Sequence, residues 1–257
     1  LLSASAIINQ GITKVKKEFS KVTLQQVHNI VARSTELLDA IFTTGPANGT
    51  LNLPEIISRL LEWNNTLRDM GKEREQLLEA QNLFKQQIIP NPDFAKVETI
   101  IGNLNSVLGC FSAFQDQVSQ WAAMRFFGEL DIVVLVQGTE SFVSRVKKLP
   151  KECSKVAAYD KVLAELEKFK DGLPLIADLK GDFLRPRHWQ KLMGASGKTF
   201  DISPDVLTLE SVFSMELSEH KALVEEVVTE AQKEVAIEKS LASINDFWKS
   251  VKLEMYE

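Results

Sequence analysis

Cysteine is nearly missing: among 257 residues only Cys110 and Cys153 occur. Two thiols are too few for a secreted disulfide scaffold. Neither has a second Cys or a His at metal-ligand spacing, so both read as small buried hydrophobes in a reducing compartment. Histidine is also scarce, with His28, His188 and His220 far apart in sequence. Glycine (12) and proline (8) are few and clustered, which leaves long uninterrupted stretches for regular structure. Basic excess is absent: 30 Lys and Arg against 35 Asp and Glu give a net charge of -5. That balance excludes a general nucleic-acid binder, which needs a basic surface to neutralise phosphates. No apolar run approaches the roughly 20 residues that span a bilayer; the longest, Ile132 to Val136, sits between Asp131 and Gln137. The N-terminal LLSASAIINQG lacks a basic start and makes a poor signal peptide.

What remains is an ordinary globular composition, 44% hydrophobic and 25% charged. The length suits one large or two small domains with a sizeable core. The chain opens without Met and stops at Glu257 inside a helical pattern. We read it as a piece of something longer.

Helical periodicity dominates. Val27, Val31, Ser34, Leu37, Leu38 and Ile41 recur at three-to-four spacing before the TTGPANGT cluster at 43–50. Leu53-Pro54-Glu55 then reads as a helix start. The stripe that follows should run to about Ile89, where IIPNPDF breaks it. A third helix is expected over about Phe94 to Arg125. DIVVLVQGTESFVSRVKK is valine-rich, as strands are, but Leu130, Val133, Val134, Gln137, Ser141 and Arg145 keep a helical period. We therefore assign it to a helix. Another helix is expected from about Ser154 to Lys170, with a stop at Asp171-Gly172-Leu173-Pro174 and a short new helix over Leu173 to Leu179. Residues 194–209 are the longest stretch without a helical pattern and could hold a short strand or hairpin. A last helical pattern runs from about Leu217 to the end; its 41 residues would reach roughly 60 Å at about 1.5 Å per residue. The expected fold is an all-α, elongated, antiparallel multi-helix bundle.

The motifs that suggest chemistry are weak. Gly194 to Thr199 reads GASGKT, but the first glycine of a phosphate loop would fall at Leu192. Such a loop must also lie between a buried strand and a helix N-terminus. Here WQKLM before it is helical and FDISPDV after it is not, so Gly194 is expected to end a helix in a left-handed cap. His188 has no nucleophile motif beside it and, with Trp189, is expected to pack a helix junction. Arg185 and Arg187 are expected to pair with nearby carboxylates such as Asp182. Glu230, Glu234 and Glu238 share a helix face, but no Glu-x-x-His motif accompanies them as a di-metal bundle requires. A solvated face with ion pairs fits them better. Lys147, Lys148, Lys151, Lys155 and Lys161 form a modest basic stretch, read as solvated surface.

Two segments go further. FLRPRHWQKLM at 183–193 joins Arg187, His188, Trp189, Leu192 and Met193. AQKEVAIEKSLASINDFW at 231–248 carries Glu234, Glu238 and a final Trp248. In this order, RHWQKLM followed by A-x-K-E-x-x-I-E-K-x-L and Trp resembles the N-terminal linker region of dynein heavy chains, nearer to axonemal than to cytoplasmic ones.

The resemblance implies a noncatalytic mechanical segment. Residues 1–45 would be the end of the tail, 46–180 the N-terminal part of the linker, and 181–257 a linker segment with the RHW motif. It implies no catalytic, metal or cofactor site in this chain; ATP and Mg would bind only in an ATPase ring beyond it. Expected partners are the rest of the same heavy chain, intermediate or light chains and neighbouring heavy chains, without nucleic acid or membrane insertion. The expected location is the cytoskeleton of the cytoplasm, in the axoneme of cilia or flagella. Flexion is expected near 171–174 and 194–204. Without the resemblance, the helices fit a scaffold or tethering rod equally well. A nucleotide-binding helical enzyme resting on GASGKT is the third reading.

Overall fold

Helix punctuation by a few residues decides where each element starts and stops. The computed structural model describes residues 2–128, 130–203, 205–215 and 219–250, with side chains from residue 8. Among these residues lie eight α-helices: α1 (Leu2–Thr43), α2 (Leu53–Leu83), α3 (Pro92–Ala122), α4 (Ile132–Lys147), α5 (Ala157–Leu179), α6 (Pro186–Ser196), α7 (Leu209–Phe213) and α8 (Lys221–Ser250). A single 3-10 turn covers Cys153–Lys155. The all-α expectation holds. Where a strand or hairpin was expected in 194–209, the described residues contain only an isolated antiparallel bridge between Arg125 and Thr208. Two backbone bonds make it, Phe126 N–H to Leu207 O (2.9 Å) and Leu209 N–H to Met124 O (3.0 Å). One bridge satisfies two loops without starting a sheet.

The chain divides into two compact units, Leu1–Phe111 with Lys148–Leu163, and Ser112–Lys147 with Ala164–Glu257. In the first, α1 packs on α2 around Val27, Ile30, Met70, Leu77 and Phe94. The turn between them needs Gly45, because a Cβ there would meet Ile41 Cα at 2.6 Å and the Trp63 ring at 2.8 Å. Asn52 then caps α2 reciprocally with Glu55. Lys161 donates to the carbonyls of Gly49 and Leu51, tying the turn to α5. A buried polar relay starts α3: Asn91 Oδ1 accepts from Phe94 N–H, and Asn91 Nδ2 donates to Ser34 Oγ at 2.8 Å. Cys153 is buried, and that burial raises its thiol pKa, with a smaller contribution from Glu152. Cys110 is only half-buried.

Helix α2 stops at Leu83, short of the Ile89 expected from its periodicity. The chain turns into the left-handed region at Lys85 (φ 52°). Gln86 N–H then bonds back to Gln81 O at 2.8 Å, a six-to-one closure of the helix end. The N-terminal part of α1 extends beyond this packing: Ile8, Ile12, Val15, Phe19 and Val22 are exposed.

The second unit is built on aromatic rings. Phe114 meets Phe142 and Phe169 edge-on, and Trp121 stacks on Phe169. The valine-rich α4 forms as a helix, as its period required. Helix α5 corrects the expected break at Asp171: it runs unbroken from Ala157 to Leu179 with Pro174 inside. Leu173, Leu175, Ile176 and Leu179 are all buried around that proline. Packing on both sides outweighs the lost backbone donor. A flexion point at 171–174 thus loses the break on which it rested.

Candidate functional site

The contact between α6 and α8 gathers the residues that the sequence singled out. Arg185 is the N-cap of α6 in an extended conformation, and Pro186 occupies the first turn with its φ already helical. His188 Nδ1 accepts the backbone N–H of Arg185 at 3.0 Å. That bond leaves the ring proton on Nε2. Nε2 lies 3.1 Å from Glu234 Oε2, but off the hydrogen-bond direction, so it remains without a formed partner. The pair is a close polar contact, and the imidazole serves as a cap.

Trp189 and Leu192 face inward. Trp189 is 3% exposed and its ring meets Phe126, Phe127 and Phe200 nearly at right angles. Met193 is half-buried. This cluster fixes α6 to the body of its unit. Helix α8 is fixed in the same unit by Val224, Val227, Val228 and Ala231.

Between these anchors runs a ladder of charges. Arg185 Nη2 binds Glu238 Oε2 at 2.8 Å. Arg187 binds Glu234. Lys191 Nζ binds both Glu230 Oε2 and Glu226 Oε1 at 3.0 Å. Numbers rise along α6 as they fall along α8, so the helices are antiparallel. The expected pairing of Arg185 and Arg187 with Asp182 is corrected: both arginines reach forward to glutamates on α8. The carboxylate of Glu234 is held below the ordinary glutamate range, first by the Arg187 hydrogen bond and then by the Arg187 charge. Lys191 is pushed up by its bonds to Glu230 and Glu226, and Arg187 by its bond to Glu234. Exposed pairs of this kind contribute little each; their effect is to set the antiparallel direction of the two helices.

Beyond Val235 every described residue of α8 is exposed. Ile237, Leu241, Ile244 and Trp248 line one side of that arm and are largely exposed, Trp248 at 63%. Trp189 and Trp248, both part of the motif, thus have opposite surroundings. Lys191 was missed in the sequence, although the four-residue spacing of glutamates on α8 was the available signal.

Gly194 was expected to cap α6. Instead the helix continues through Gly194 to Ser196, and Gly197 (φ 66°) takes the left-handed cap. GASGKT therefore spans a helix C-terminus. Its free carbonyls give the wrong end of the macrodipole for phosphate. No group of three or more His, Cys, Asp or Glu suited to a metal occurs among the described residues. The arrangement joins two helices in a set antiparallel direction, and among its described residues no reacting group is poised against another.

The family model described as dynein heavy chain, N-terminal region 2, matches residues 94–257. The chain belongs to the dynein heavy chain family. A dynein-1-alpha heavy chain of the flagellar inner arm I1 complex from Chlamydomonas reinhardtii is 31% identical over 255 residues, which is 99% of this chain. Human dynein axonemal heavy chain 10 is 29% identical over 98% of the chain. Mouse dynein axonemal heavy chain 2 is 24% identical over 96%. The chain spans 6% of the length of each of these dyneins. No helix among the described residues is long and apolar enough to cross a membrane.

Proposed function

We infer that this chain is a noncatalytic mechanical segment of a dynein heavy chain, at the junction of linker and tail. Residues 1–45 belong to the end of the tail, 46–180 to the N-terminal part of the linker, and 181–257 to the linker segment with the RHW motif. The match of residues 94–257 to the heavy-chain N-terminal region carries this reading. The α6–α8 contact supports it, because a segment that passes on force needs helices locked in direction. ATP and Mg bind in a ring elsewhere in the heavy chain, and this segment passes the resulting motion to the tail. Its partners are the rest of that heavy chain and the intermediate, light or neighbouring heavy chains assembled on it. The parent motor works in the axoneme of cilia or flagella, a reading that the axonemal and flagellar names of its relatives support.

Three measurements test this. The coding frame beyond Glu257 should carry successive phosphate-loop modules; a frame running on without them would overturn the motor reading. In the parent motor, Trp189→Ala should lower microtubule gliding velocity more than ATP hydrolysis. An equal loss of both would mean the segment does not act as a lever. Titration of this chain with ATP should show no binding, and saturable binding lost in Lys198→Ala would favour the nucleotide-binding alternative.

A further inference from the structure

The glutamates of the ladder stand at 226, 230, 234 and 238, four residues apart. Each step of four is about one helical turn. The ladder therefore repeats, and Lys191 already touches two successive members at 3.0 Å each. Consider α8 moved one turn along its axis, so that each of its positions is taken by the residue four earlier. Arg185 then faces Glu234, Arg187 faces Glu230 and Lys191 faces Glu226. Every cation on α6 keeps a carboxylate. The opposite move does not preserve the set, because Arg185 would face Ala242.

The apolar side gives the same direction. In the favoured move, the buried places of Val224, Val227, Val228 and Ala231 pass to His220, Leu223, Val224 and Val227. Three of these four are aliphatic. In the opposite move Gln232 would enter the buried place of Val228. We propose that the α6–α8 contact has two registers one turn apart: the one described here, and a second that shifts α8 by roughly 6 Å along its axis. The second keeps a carboxylate on every cation but gives Lys191 one in place of two, since Ala222 takes the place of Glu226. The first is favoured because the second buries His220 where Val224 now sits and forces Leu223 into the place of a valine. The second register is thus a minor state, of order 0.1–10%. It extends the mechanical reading but is a property of this chain alone, so either can fail without the other.

The test uses the complete chain with cysteine pairs, and peptide mass spectrometry to separate their products from those of the native thiols. Arg187→Cys with Glu234→Cys reports the first register, and Arg187→Cys with Glu230→Cys the second. Adding His220→Val and Leu223→Val gives the second register an all-valine seam. It should speed the 187–230 crosslink about tenfold, as a population shift of that size requires, and slow the 187–234 crosslink. Spin labels at Gln190 and Ser243, with the ladder intact, give an independent readout. The same two substitutions should raise a second distance, longer by roughly 5 Å. A single unchanged distance, or crosslinks that both rise or both fall together, would overturn the two-register proposal.

Discussion

Gly138 and Trp121 share one space: a Cβ on the glycine would lie 2.5 Å from Cζ2 of the indole. Helix α4 approaches α3 this closely only because residue 138 has no side chain. In isolation a helix gains about 1 kcal/mol from Gly→Ala. Here overpacking should reverse the sign, and Gly138→Ala should destabilise the protein by about 1–3 kcal/mol. Urea unfolding followed by tryptophan fluorescence measures this. A stabilised variant would show that Trp121 has room to move aside.

The two tryptophans of the family motif should differ sharply. Trp189 is buried among three phenylalanines, whereas Trp248 lies on the exposed arm of α8. Trp189→Ala should cost about 3–5 kcal/mol, while Trp248→Ala should stay within about 0.5 kcal/mol. Denaturation midpoints of the two variants decide. A loss under about 1 kcal/mol for Trp189→Ala, far below the usual cost of emptying a buried aromatic site, would mean that the indole is not anchoring α6.

Acid should loosen the α6–α8 ladder. Glu234 has a carboxyl pKa lowered in the fold from its ordinary value of 4.5, chiefly by the Arg187 hydrogen bond. A group with a depressed folded pKa contributes its stability fully above the unfolded value and loses it as pH falls through the folded one. The loss therefore begins near pH 4.5, the ordinary value, and grows as pH falls further. Glu234→Gln should remove that contribution at neutral pH and so flatten the acid part of the stability–pH curve. Thermal midpoints of wild type and Glu234→Gln between neutral and acid pH test it. Parallel curves would sink the assignment.

Much of this was legible in sequence, because helix period and breakers are local. The valine-rich Ile132–Lys147 segment declared itself helical by spacing, and the 43–50 cluster declared its turn. Three features depended on contacts that sequence does not display. Pro174 reads as a stop, yet buried Leu173, Leu175 and Ile176 hold α5 together around it. Gly194 reads as a cap, yet Gly197 supplies it three residues later. The arginines of the RHW segment have Asp182 as a near neighbour in sequence. Their partners Glu234 and Glu238 are 47 and 53 residues away and meet them only when α6 and α8 pack antiparallel. The family motif names both sides of that contact without saying that they touch.

The end of α2 offers a change that should stabilise. Lys85 has φ 52°, the one positive value among described non-glycine residues. A side chain in this left-handed conformation costs roughly 1–2 kcal/mol, which glycine avoids. Against that gain, glycine has more unfolded-state freedom to lose on folding. Both terms act at one residue, and the steric relief is the larger wherever the left-handed cap is retained, as it is here by the Gln86 N–H bond to Gln81 O. Lys85→Gly should therefore raise stability by about 0.5–1 kcal/mol, whereas Lys85→Val, branched at Cβ, should lower it. Paired denaturant titrations of the two variants settle the matter. If Lys85→Gly were the less stable, the chain would leave α2 by a right-handed route instead.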